Sequence, residues 1–451
     1  MTSSPANGNP AHGRPAQDGP ADHQPAQGGA PGGATENSGP AGADAPDGPS
    51  AADAAAADYG ADSEPARPSP AAPASDDEPL RVTTLELFFD LVFAFTLTQL
   101  AALLADTLSL AGTTQVLLIF GLLWWMYEGY AWLTNARPPV HTAERLLLLV
   151  GMAGFLAIGL AIPHGFGGSG LALGVGYLVV VLVHGRLYYR VNRNIVRVVP
   201  FNVVSALLVI TASLLRGPSG AERPAAYALW IAALAVQLGS PLIVHPRNLF
   251  ELRATHLSER HGALLLVALG ESVVSIGVGA EELVGRTGQE NARVVAAAVL
   301  GLALAAALWW IIFAGGDQER AEQVLTDATS ERRTALALSA LFYGNIPLLL
   351  GVVAISAGVR QAIGHAAALE AGPAAAALVL AAGAALFLAG DVAIRRLLRL
   401  GPVRLRAGTA ALVLATAAIG ATISLEVQVA AVTVVLVLML VLERRRAPAG
   451  Q

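Results

Sequence analysis

Twelve stretches of this chain are apolar over roughly the ~20 residues that a helix needs to cross ~30 Å of hydrocarbon. They lie near 84–105, 114–134, 145–163, 170–189, 200–216, 225–244, 260–280, 293–314, 333–357, 373–394, 405–424 and 427–442. A backbone in lipid must satisfy its own polar groups, so runs of this length leave helices as the working solution. The expectation is an all-α, polytopic transmembrane helix bundle of about twelve helices. Several runs are rich in Ala and Gly, whose small side chains let helices approach closely, which favours a packed bundle over helices isolated in lipid.

Residues 1–79 read differently. They hold 12 of the 33 acidic residues, 14 of the 26 prolines and only two arginines, a net charge of −10, which leaves +5 for the remainder. Five pentads begin Pro-Ala, at Pro5, Pro10, Pro15, Pro20 and Pro25. With almost no large apolar side chain to bury, the segment is expected to be a disordered cytoplasmic tail. It also lacks the charged start and apolar stretch of a secretory leader.

The arginines set an orientation. On the side shared by both termini the loops hold 21, whereas the other side has five: Arg216, Arg223, Arg286, Arg293 and Arg360. Basic loops are retained in the cytoplasm, so both termini are expected on the inner side of the cell (cytoplasmic) membrane, with an even number of crossings. The chain has no cysteine and no lysine. Disulfides, thiolate metal sites, P-loop lysines and Schiff-base lysines are therefore excluded. Nothing in the charge pattern suggests a nucleic-acid partner.

Short motifs recur in order. Leu123-Trp124-Trp125 returns as Leu308-Trp309-Trp310, an offset of 185, and Glu144-Arg145 returns as Glu331-Arg332, an offset of 187. Phe89-Asp90-Leu91-Val92 aligns with Gly270-Glu271-Ser272-Val273, an offset of 181. These near-equal offsets suggest two six-helix pseudo-repeats, residues 80–250 and 251–446, running parallel because six crossings restore the starting side.

The chemistry rests on ionisable groups inside apolar runs, since a charged side chain in hydrocarbon costs about 2.5–3.5 kcal/mol even on the lenient insertion scale. Glu86 and Asp90 are four residues apart and share a helix face. Arg260 and Glu271 share a face of the seventh run but stand roughly 16 Å apart along it. Two readings fit Glu86, Glu259 and Arg260: an interfacial ion pair near the boundary, or the mouth of a site. Two also fit Asp90 and Glu271, read as about ten residues or ~15 Å inside: a structural buried carboxylate, or part of an ion or proton path. Thr96, Thr98 and Ser272 are candidates to add neutral oxygens. His256, Glu259 and His261 form H-x2-E-x-H, which is not the zinc-binding H-E-x-x-H spacing. Trp124, Trp125 and Glu128 fit core packing better than a cavity wall. Asp391, before Arg395-Arg396, reads as a helix-end charge with a local partner.

Arg81-Val-Thr-Thr-Leu-Glu86-Leu-Phe-Phe-Asp90-Leu-Val-Phe, with Gln99, then His256-x2-Glu259-Arg260-x-Gly262 and Leu269-Gly270-Glu271-Ser272, resembles the bacterial low temperature requirement A family. The resemblance runs from about Leu80 to the last helix. It places the family's polar signature on Glu86, Asp90, Gln99, His256, Glu259, Arg260 and Glu271. One departure is Tyr343-Gly344-Asn345, where the family often has a histidine at the third position. The family name records a cold-growth phenotype and implies no reaction. Without a cysteine, a lysine, H-E-x-x-H or G-x-S-x-G, the sequence is not expected to be an enzyme or to hold a cofactor or metal. A secondary transporter or channel for an ion or small solute is the expected activity, and a structural or sensory membrane protein the alternative.

Overall fold

The computed structural model describes residues 82–189, 197–215, 224–244, 252–281, 288–366 and 371–446, excluding the side chains of 271, 272, 275, 276, 278–281 and 288–290. The tail expected over 1–79 and the division between halves at 250 lie outside these residues. Among those described there are helices and no strand: α1 Thr84–Asp106, α2 Leu110–Ala136, α3 Thr142–Ala161, α4 Gly170–Tyr188, α5 Val199–Leu214 and α6 Pro224–Val244. There follow α7 Ala254–Glu281, α8 Gly288–Phe313, α9 Asp317–Thr326, α10 Ser330–Leu336, α11 Gly344–His365, α12 Ala374–Leu398, α13 Arg404–Ala415, α14 Ala417–Thr422 and α15 Leu425–Arg446. Each of the twelve apolar runs is helical. Among the described residues ten helical segments are long and apolar enough to cross a membrane, so the protein is a multi-pass membrane protein. The other runs lie in α5, apolar but only 16 residues long, and in α7, 28 residues long, part of whose side chains lie outside the described residues.

Three features were not apparent in the sequence. The short polar helix α9 interrupts the link after α8, where a plain loop was expected. A π-helical segment, Ala337–Tyr343, joins α10 to α11, and Pro347 follows within α11. The eleventh run breaks at Thr416 into α13 and α14.

Helix α1 packs against α2, α3, α7 and α11. Its start is fixed by a capping box: Thr83 Oγ1 accepts from the Glu86 amide, while Glu86 Oε2 accepts from the Thr83 amide at 2.9 Å. Such a box satisfies two of the amides that a helix start leaves open. Further along, Phe89 and Phe93 pack on Tyr127 and Phe155, with the Phe93 and Tyr127 ring centroids 4.3 Å apart. Between α11 and α12 the backbones nearly touch. A Cβ added at Gly351 would lie 2.7 Å from the Phe387 amide nitrogen, and one at Gly383 would lie 2.8 Å from that of Ile355. Only hydrogen fits at both positions.

One end of the bundle gathers the starts of α1, α7 and α13 with the ends of α2, α8, α12 and α15. Asn135, at the end of α2, pairs with the backbone of Arg253 just before α7. Arg406 of α13 reaches the carbonyl of Ile311 on α8, Asp391 on α12 and Glu443 on α15. Helix α9 links the groups, bonding Thr255 through Glu322 and Arg395 through Asp317. At the opposite end Arg360 meets Asp106, and Gln361 donates to the Ala105 carbonyl.

Candidate functional site

Glu86 and Asp90 are the third and seventh residues of α1, and one helical turn stacks them on a common face. Arg260 is the seventh residue of α7, so it stands level with Asp90 when the two starts lie side by side. The three side chains are buried, with exposures of 0%, 0% and 1%. Arg260 donates from Nε and Nη2 to Asp90 Oδ1, at 3.3 and 3.1 Å, and from Nη1 to Glu86 Oε1 at 3.3 Å and to Thr134 Oγ1. The rings of Phe89 and Tyr127 each stand 5.6 Å from its guanidinium carbon. Glu86 and Arg260 are thus an ion pair buried within the bundle near the starts of α1 and α7. They form a buried cluster, and a guanidinium suits it because its planar fork serves two carboxylates at once.

Asp90 is under-satisfied. Its Oδ1 accepts from Arg260 and from the Tyr127 hydroxyl at 2.9 Å, while Oδ2 is buried without a hydrogen-bond partner. The position is also shallower than the sequence suggested, because the helix begins at Thr84 and Asp90 lies about 9 Å along it rather than ~15 Å.

Two histidines extend the cluster in different ways. His256 Nδ1 faces the Asn135 amide nitrogen at 3.3 Å, and its Nε2 faces Glu86 at 3.2 Å. Asn135 donates to the first nitrogen, which leaves the second to donate toward the carboxylate. His261 Nδ1 faces the Leu257 carbonyl at 2.8 Å, and its Nε2 meets Glu128 Oε1 at 2.7 Å. Glu128 Oε2 accepts from Trp132 Nε1 at 3.1 Å. The core-packing expectation holds for Trp124, which is buried and donates to the Phe342 carbonyl. Glu128, by contrast, is a buried ionisable partner.

Glu259, Gln99, Thr96 and Thr98 do not join. Glu259 is exposed and accepts from the Val82 amide at 3.3 Å. Gln99 lies nine residues beyond Asp90, half-buried. Thr96 and Thr98 donate to carbonyls of their own helix, at Phe93 and Ala94. Glu271 and Ser272 are on α7, but their side chains lie outside the described residues. By its place in the helix Glu271 stands eleven residues, about 16 Å, beyond the level of Asp90. Among the described residues no histidine and carboxylate group is arranged to hold a metal.

A second ionic network lies at the same end. Asp391 accepts from Arg395 Nε at 3.2 Å and Arg406 Nη1 at 2.8 Å, and Arg406 grips Glu443 with two bonds of 2.9 Å. Arg395 also reaches Asp317, which pairs with Arg320 as well. The expected local partner of Asp391 is present, but the residue belongs to a network spanning α8, α9, α12, α13 and α15.

Tyr127, Thr134, Asn135 and Glu128, all on α2, complete the first cluster and were not singled out as a group from the sequence. Their spacing carried the signal: Tyr127, Ala131 and Thr134 stand on one stripe, as do Glu128 and Asn135 seven apart.

The bacterial low temperature requirement A family model matches residues 81–441, which includes all three helices of the cluster, α1, α2 and α7. An uncharacterized protein of Rhizobium meliloti (strain 1021) is 29% identical over 321 residues, covering 69% of this chain and 76% of its own. No solved structure matches the chain. With four-fifths of its length matched, the chain belongs to the bacterial low temperature requirement A family.

Proposed function

We propose that the protein is a carrier or channel for an ion or small solute, and not an enzyme, with the Glu86–Asp90–Arg260 cluster on its path. The observation that carries this is Asp90 Oδ2, buried in a bundle interior with no partner. A carboxylate kept only to pin helices together would be saturated, because an open acceptor in a low-dielectric interior costs free energy for nothing in return. Here one guanidinium serves two carboxylates, and the open oxygen is a position for a proton, a cation or a water. The protein sits in the cytoplasmic membrane with both termini inside, as the arginine asymmetry of its loops indicates. Its two halves, 80–250 and 251–446, are pseudo-repeats. Supporting this, α1 and α7 start together, and the third and fourth crossings of each half meet at glycines, Gly154 with Gly176 and Gly351 with Gly383. Against a close repeat, Trp124 is buried whereas Trp309 and Trp310 are 38% and 42% exposed.

The test is flux. Purified protein in liposomes is screened with Na+, K+, H+ and chloride gradients, alongside Asp90→Asn. The expected result is flux of at least one ion that the variant abolishes while remaining folded. Equal rates in both proteins would remove Asp90 from any path.

A further inference from the structure

Between α7, α9, α11 and α12 lies a half-open cavity of about 80 Å³, whose wall includes Ser258, His261, Gln318, Asn345 and Asp391. That is space for several waters, and the lining supplies the polar partners that ordered water requires. Ser258 Oγ is buried there without a hydrogen-bond partner. Asn345, 2% exposed, uses its amide nitrogen on the Leu341 carbonyl. The carboxylates of the wall are already bound: Asp391 to Arg395 and Arg406, Asp317 to Arg395 and Arg320. The cavity thus offers neutral hydrogen bonding and one imidazole.

The geometry of that imidazole fixes a proton. Nδ1 of His261 faces a carbonyl oxygen, which only accepts, so Nδ1 carries hydrogen. Nε2 stands 2.7 Å from Glu128 Oε1, and a lone pair facing a carboxylate oxygen at that distance is repulsive. One further proton must therefore lie between them, whether the pair is written imidazolium with carboxylate or imidazole with carboxylic acid. The other histidine of the site needs no such proton, since Asn135 donates to it. Charged and titratable groups around the pair are Arg260 on its own helix, Tyr127 and Tyr188 near Glu128, and Asp317, Asp391 and Arg395 across the cavity.

We propose that the His261–Glu128 pair is a proton-loading site, that the cavity is its aqueous access, and that the proton is an ion this protein moves. The proposal rests on the transport reading and names the ion. The proton arrives from cavity water, occupies the Nε2–Oε1 position, and on leaving exposes one buried negative charge beside Arg260. That change in local charge is felt at once by the adjoining pair of Arg260 and Asp90.

The experiment uses the full chain in liposomes containing a pH-sensitive dye, with a potassium diffusion potential set by valinomycin driving proton entry. A parallel set carries a sodium dye and a sodium gradient. The expected result is proton entry that falls at least tenfold in Glu128→Gln. Because the chain has no cysteine, a Ser258→Cys protein also gives a clean test. A small methanethiosulfonate reagent should cut its proton rate at least fivefold relative to the same vesicles before treatment, and leave the cysteine-free protein unaffected. Should Glu128→Gln fail to purify as a folded protein, the cysteine arm decides alone. Sodium flux without proton flux would overturn the proton assignment and leave the transport reading standing. No flux of either ion would overturn the proton assignment, and the transport reading would fall with it only if the potassium and chloride gradients of the wider screen also gave none. Proton flux undiminished by both alterations would place the proton path elsewhere and overturn the proposal.

Discussion

The two ionic networks share one end of the bundle and differ in how their charges are matched. In the outer network three carboxylates, Asp317, Asp391 and Glu443, face three guanidiniums, Arg320, Arg395 and Arg406, and each of the six carboxylate oxygens has a partner. In the inner one Glu86 and Asp90 share Arg260, and one Asp90 oxygen is left over. The outer network also reaches water, with Arg320 50% exposed, whereas the inner one is sealed. A saturated set of pairs at a boundary ties α8, α9, α12, α13 and α15 together. An unsaturated one in the interior leaves an acceptor that a proton, a cation or a water would satisfy. On the proposed transport reading, the difference separates a staple from a site.

Removing the shared cation should produce the largest effect. Arg260→Leu leaves two buried carboxylates uncompensated and is expected to cost about 3–5 kcal/mol, or to prevent accumulation of folded protein. Arg406→Leu should cost less, about 1–3 kcal/mol, because Asp391 keeps Arg395 and Glu443 is partly exposed. Thermal unfolding of the purified variants checks the order, and equal losses would dissolve the distinction. Carboxamide replacements sharpen it. Asp391→Asn turns an oxygen that accepts from a guanidinium into a donor, for about 1–3 kcal/mol. Asp90→Asn can keep Oδ1 for Tyr127 and Arg260 and put its nitrogen where no partner stood, so stability should move by less than about 1 kcal/mol. An Asp90→Asn protein as unstable as Asp391→Asn would show that the open oxygen has a partner after all.

Much of this was legible in the sequence. Helix number and position follow from apolar length, and α1 with α7 as the source of the site follows from ionisable residues where hydrocarbon forbids them. The mutual arrangement was not legible. Glu259 and Arg260 are neighbours, yet one is exposed and the other buried, because consecutive helical residues point about 100° apart. Depth was overstated for Asp90: the run starts at 84, where Thr83-x-x-Glu86 forms a capping box, and six residues on is about 9 Å and not ~15 Å. The contribution of α2 was missed because Tyr127, Thr134 and Asn135 look ordinary in a helix until Arg260 is set against them. The outer network escaped for a different reason: its partners are separated by up to 126 residues, from Asp317 to Glu443, and no local pattern joins them.

The smallest expected effect concerns salt. Arg320 is half-exposed and pairs with Asp317 three residues before it, a geometry in which water and counterions compete with the bond. Arg320→Gln should therefore cost no more than about 1 kcal/mol at low ionic strength. Its effect should shrink further as salt rises, since the screening length falls from about 30 Å at 0.01 M to about 3 Å at 1 M. Inside the sealed cluster no ion atmosphere enters, and the penalty of Arg260→Leu should stay constant over the same range. Melting curves of wild type and both variants at several sodium chloride concentrations read the two slopes. A salt-dependent Arg260 penalty would mean that water and ions already reach Asp90 in the resting protein. The open oxygen would then be solvated, and the contrast between staple and site would have to be drawn at a different residue.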